Sequence, residues 1–99
     1  MFNQLNPILH APLRLNIMSL LMGLEDAEFT FLKEKTGATA GNLSLQLNQL
    51  SEAGYLKIKK GFKGNYPVTT IKITAKGTKA FTDYVVVLKN ILNNHEPKK

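Results

Sequence analysis

Asn42, Gln46, Asn48 and Gln49 fall within one short stretch, with Thr39 and Ser44 beside them. A carboxamide carries a donor and an acceptor side by side. That pair matches the N6/N7 edge of adenine in a duplex major groove, and a serine hydroxyl suits several base edges. Downstream, Lys57, Lys59, Lys60 and Lys63 offer point charges suited to backbone phosphate. Hydrogen bonding to base edges combined with phosphate neutralisation is the chemistry these residue types can perform. Each part also has a plainer reading. Amides are common on solvated helix faces, and a lysine-rich hairpin end can serve solubility alone.

Bond-making chemistry has little support. The chain has no cysteine, which excludes a disulfide framework, a thiolate metal site and a cysteine nucleophile. There is no P-loop, no glycine-rich dinucleotide turn and no nucleophile elbow. Glu25, Asp26 and Glu28 cluster in a linking segment, where a solvated acidic link is the simpler reading than a catalytic pair. His10 and His95 lack metal-ligand spacing to one another or to the carboxylates, and His10 next to Pro12 reads as a residue packing at a helix start. Catalysis, a metal and a cofactor are therefore not expected.

The charge is unevenly distributed. Of the net +6, residues 1–54 hold three basic against five acidic side chains (−2), and residues 55–99 hold ten lysines against Asp83 and Glu96 (+8). A basic half of this kind points to a polyanionic partner, nucleic acid first. Ninety-nine residues with 43% hydrophobic content suit one folded domain. No apolar run reaches the roughly 18 residues that a membrane helix needs. The N-terminus has no basic segment leading into an apolar one, so no secretory signal is expected and the expected location is the cytoplasm.

The elements that must position the polar stretch follow from spacing. Leu5, Ile8 and Leu9 form a helical turn or two before Pro12, which suits the first turn of a helix. Leu13, Ile17, Leu20, Leu21 and Leu24 then repeat at helical spacing, with Gly23 near the end. Leu15, Met18 and Met22 make a second apolar stripe, either buried within the chain or facing a subunit partner. Phe29 starts a brief strand, Thr30 caps a short helix from Phe31 to about Thr36, and Gly37 stops it. Thr39 caps the next helix, about 40–53, whose buried stripe is Leu43, Leu47 and Leu50. Two short helices joined around a glycine are a helix-turn-helix pattern. Thr39, Gly41, Asn42 and Gln46, at the helix start, are best placed to enter a groove. Leu45 either touches a thymine methyl or packs on the preceding helix.

After Gly54 the spacing changes to alternation. With Gly64-Asn65 as a two-residue hairpin turn, Leu56 faces Ile73, Ile58 faces Ile71, Phe62 faces Pro67 and Lys63 faces Tyr66. Both apolar pairs then share one face, and Lys60, Lys63, Asn65 and Tyr66 lie at the tip. Thr74 caps a long last helix running to about Asn93. Its wide stripe, from Phe81 and Tyr84 through Val87, Leu88, Ile91 and Leu92, exceeds what a small core can cover. A two-fold dimer through Tyr84, Val87, Leu88, Ile91 and Leu92 together with Leu15, Met18 and Met22 accounts for the excess. The alternative is a fold-back onto the monomer.

The stretch from about Leu9 to Leu92 resembles the winged-helix transcriptional regulators near the ArsR and MarR groups. The residues carrying the resemblance are LHAPLRLNIMSLL, TGATAGNLSLQLNQLSEAGYLKIKKGF and TTIKITAKGTKAF. The compact subgroup with one domain and a dimerising C-terminal helix is the nearest pattern. The resemblance implies a mainly α fold with a small antiparallel β-hairpin: a winged helix-turn-helix. Its core would span about 10–74, its dimerisation helix 75–93 and its tail 94–99. It implies a sequence-specific regulator of double-stranded DNA, commonly a homodimeric repressor. The helix at 40–53 would lie in the major groove, carrying Thr39, Asn42, Ser44, Gln46 and Gln49. The wing at about 59–67 would reach backbone or minor groove, carrying Lys60, Lys63 and Asn65; Lys59 and Tyr66, beside them on the hairpin, are candidates from the hairpin itself. The Cys pair of ArsR-type metal sensors is absent, so metal sensing is not expected. Residues 40–52 contain no arginine or lysine, so guanine reading by arginine is not expected either. No residue set specifies a small-molecule effector. The competing reading is a winged-helix protein-interaction module without specific DNA binding.

Overall fold

The computed structural model describes residues 5–94. Its elements are α1 (Pro12–Met22), β1 (Ala27–Glu28), α2 (Phe29–Thr36), α3 (Ala40–Glu52), β2 (Leu56–Lys63), β3 (Tyr66–Ile73) and α4 (Ala75–Asn94). The strands form one antiparallel sheet in the order β1-β3-β2. Among the described residues the architecture is four helices on a small three-stranded sheet.

Local chemistry explains the boundaries. Pro12 opens α1, where its missing N–H would have had no intrahelical partner. Gly37 ends α2 in the left-handed region (φ 73°), a conformation that an L side chain resists. Thr39 caps α3, its hydroxyl accepting from the Asn42 N–H at 3.2 Å. Thr74 caps α4, accepting from the Gly77 N–H at 2.9 Å while donating to the Gly54 carbonyl at 2.7 Å.

The hairpin register agrees with expectation at every stated pair: Leu56↔Ile73, Ile58↔Ile71, Phe62↔Pro67 and Lys63↔Tyr66. Gly64 alone carries a positive φ (66°) at the turn, as a type II′ turn with glycine first requires.

Leu9, Ile17, Met18, Leu21, Leu32, Leu43, Leu50 and Ile71 are fully buried and form the core with Leu47, Leu56 and Tyr84. Each such leucine contributes roughly 2 kcal/mol by leaving water. Beyond Tyr84, α4 has no fully buried side chain; Val86 and Leu92 are exposed.

Several expectations are corrected. Phe29 begins α2 instead of a strand, and Thr30 lies inside the first helical turn; Glu28 occupies the cap position without a side-chain bond. The strand is Ala27–Glu28, too short to show alternation, and it joins the sheet through β3. On α1 the buried face is Ile17, Met18 and Leu21, centred between the two expected stripes, and Leu24 is exposed. Met18 is fully covered by its own chain and Tyr84 nearly so, so neither offers surface to a second subunit. Their place is the monomer core. The tail expected at 94–99 and His95 lie, apart from Asn94, outside the described residues.

Candidate nucleic-acid interface

Leu43, Leu47 and Leu50 seat α3 on the core. At about 100° per residue, Gly41, Leu45 and Asn48 then point away from it. All three are exposed, Leu45 at 54%. Leu45 therefore does not pack on the preceding helix. A Cβ added at Gly41 would meet nothing within 4 Å, so the chain's own packing has no need of glycine there. Asn42, Gln46 and Gln49 form the flank of α3 that faces α1; Ser44 and Asn48 form the flank that faces the hairpin.

The α1 flank is organised by Arg14. Its Nη1 donates to Gln46 Oε1 at 2.6 Å and to Gln49 Oε1 at 2.7 Å, and its Nε donates to the Ile8 carbonyl at 2.6 Å. Gln46 Nε2 in turn donates to Asn42 Oδ1 at 3.1 Å. A guanidinium thus stands beside a helix that has no cationic residue of its own. Nothing local in the sequence signals this, because Arg14 and Gln46 are 32 positions apart.

The hairpin divides its residues between two faces. Lys60 and Thr69 share a hollow of about 240 Å³ with Ser44 and Asn48 of α3. Lys60 is thus brought into one groove with the middle of α3, where Ser44 and Asn48 meet it. Lys59 lies on the opposite face, in a wider hollow with Lys57, Thr70 and Lys72. Lys57 and Lys72 are directly paired across the strands, a like-charge juxtaposition that the Asp26 carboxylate lining the same hollow offsets in part. At the tip, Lys63 reaches Glu28 on β1, Nζ to Oε2 3.2 Å. Asn65 is exposed, and so are Phe62 and Tyr66, at 78% and 76%.

Residues 13–92 match the family described as winged helix DNA-binding domain. The chain belongs to that family. This winged-helix chain is also 40% identical over 89 residues to an uncharacterised protein of Methanocaldococcus jannaschii, covering 90% of this chain and 97% of that one. Among solved structures it is similar to a transcriptional regulator homologue from Pyrococcus horikoshii, at 28% identity and a TM-score of 0.85, covering 91% of this chain and 89% of that one. It shares its fold with a homodimeric winged helix-turn-helix DNA-binding domain from Mycobacterium bovis, at 20% identity and a TM-score of 0.72, covering 93% and 82%. The winged-helix resemblance is thereby established at the level of family and fold. Among the described residues, no helix is long and apolar enough to cross a membrane.

Proposed function

We propose that this winged-helix chain is a homodimeric regulator that binds a specific double-stranded DNA operator and acts as a repressor. The observation that carries this reading is the outward face of α3. Gly41 and Leu45 are exposed with no packing demand from their own chain, and Asn48 beside them lines the hollow that Lys60 makes cationic. Glycine inside a helix costs about 1 kcal/mol against alanine, so one that packing does not need favours close approach of another molecule's surface. Thr39, Asn42, Ser44, Gln46 and Gln49 would meet base edges or nearby phosphates, and Lys59, Lys60, Lys63, Asn65 and Tyr66 the flanking backbone. Two copies joined through α4 would read half-sites about one helical turn apart. The sparse burial of α4 past Tyr84, with Val86 and Leu92 exposed, supports that assembly, as does the homodimeric state of the M. bovis domain of the same fold. Such a protein acts in the cytoplasm, where its DNA is. No effector is assigned.

Selection of bound duplexes from a random pool tests the reading. Recovery of a symmetric site whose affinity falls steeply with salt is expected. Failure to bind any duplex at low salt overturns it. The exposed Leu45, Phe62 and Tyr66 favour a second reading, a protein-interaction module. It predicts a partner that co-purifies and survives high salt, with no duplex retained.

A further inference from the structure

We infer that Arg14 sets the hydrogen-bonding polarity of α3, so that the helix offers donors to a duplex and selects guanine and thymine edges over adenine. The inference rests on the operator-binding reading above and deepens it.

A guanidinium has donors only. Side-chain amides facing it must therefore turn their oxygens inward, and Gln46 Oε1 and Gln49 Oε1 both do, at 2.6 and 2.7 Å. With its oxygen held, Gln46 must turn its nitrogen the other way. There it meets Asn42 Oδ1 at 3.1 Å, so a third amide oxygen is occupied. The bond from Arg14 Nε to the Ile8 carbonyl at 2.6 Å fixes the guanidinium from behind, and the side chain is half-buried. All three amide oxygens on this flank accept from inside the protein. Among the described residues, nothing accepts from the amide nitrogens of Asn42 and Gln49, both exposed.

The consequence reverses the simplest reading of an amide-rich helix. Bidentate pairing with adenine needs an acceptor for N6 and a donor for N7. On this flank each amide oxygen is turned inward and already engaged, and the exposed amide nitrogens of Asn42 and Gln49 are the groups presented outward. Turning either glutamine to present its oxygen would set amide N–H against guanidinium N–H and break a charge-assisted bond. Guanine shows two adjacent acceptors, N7 and O6, and thymine shows O4, all of which outward donors satisfy; at adenine the same donors reach N7 but leave the N6 amino group unmet. A helix without arginine or lysine can thus still read guanine. Arg14 is a positioning residue here, acting through Asn42, Gln46 and Gln49.

The test uses the full chain. A duplex selected from a random pool is remade with single base analogues at the positions α3 covers. Replacing guanine by 7-deazaguanine, which removes N7, is expected to weaken binding roughly tenfold, the scale of one good base contact. Replacing adenine by purine, which removes the N6 amino group, is expected to leave affinity unchanged. A second selection with Arg14→Met should gain adenine at those positions, and Arg14→Lys, which keeps a donor, should return the preference to guanine and thymine. Dependence on adenine N6 in the unaltered chain overturns the inference, as does an Arg14→Met variant that selects the same bases. The analogue duplexes decide the matter even if Arg14→Met does not fold. Retention of no duplex at all overturns the operator-binding reading itself, and this inference with it.

Discussion

Gly77, the third residue of α4, is buried with its bare α-carbon against the backbone carbonyl of Tyr55. That same carbonyl accepts from the Thr74 N–H at 3.0 Å, and Thr74 Oγ1 bridges Gly54 and Gly77. The end of α3, the start of β2 and the start of α4 are thereby locked at one junction. A Cβ at position 77 would collide with the Tyr55 carbonyl, which cannot yield as a flexible side chain would. Gly77→Ala should destabilise the fold by about 1–3 kcal/mol despite alanine's better helix propensity. Denaturant unfolding checks this; an unchanged or raised midpoint refutes the packing account.

Gly41 should respond in the opposite sense. It is exposed, inside a helix, with open space around it. Gly41→Ala should stabilise the chain by about 0.5–1 kcal/mol. If α3 lies close against a groove, the same change should weaken duplex binding. Gain of stability with no loss of binding would place Gly41 outside the interface.

The ion pair at the hairpin tip is expected to matter for binding more than for folding. Lys63 and Glu28 are well exposed (77% and 41%), and such pairs are worth about 0–1 kcal/mol. Glu28→Gln should leave the unfolding midpoint nearly unchanged and raise duplex affinity at low salt, because Lys63 is released to phosphate. Lys60→Ala should lower the slope of log affinity against log salt by about 1. Salt titrations of the two variants measure both effects. A lower affinity for Glu28→Gln would show that the pair positions the hairpin.

For the α4 interface, Val86→Glu with Leu92→Glu should turn a dimer into a monomer while keeping helix content, since both side chains are exposed in the single chain (51% and 57%). Light scattering with circular dichroism reads mass and fold together. An unchanged mass moves the subunit contact elsewhere. Met18→Ala, by contrast, should cost about 2–5 kcal/mol of fold stability, because Met18 is core.

Much of this molecule is legible along the chain because the signals are local. The hairpin register follows from Gly64-Asn65 and two pairs of apolar residues, because alternation admits one phase once the turn is placed. Thr39 and Thr74 announce helix starts, since a cap needs only a hydroxyl within three residues of the N–H it satisfies. The two-residue strand β1 was not legible, because two residues carry no period, and its pairing with Ile71 and Thr70 depends on a distant strand.

The sequence by itself determined the helices, the turn, the register and the amide-rich face of α3. Tertiary structure alone decided which way those amides point. It placed Arg14 against Gln46 and Gln49, Lys63 against Glu28, and the Tyr84 hydroxyl 2.8 Å from His10 Nδ1. It also buried Met18, which by spacing alone could equally have faced a partner. The physical reason is one of range. Caps, turns and periodicity act between residues a few positions apart, whereas these pairings depend on how packed elements cross, which no local spacing encodes.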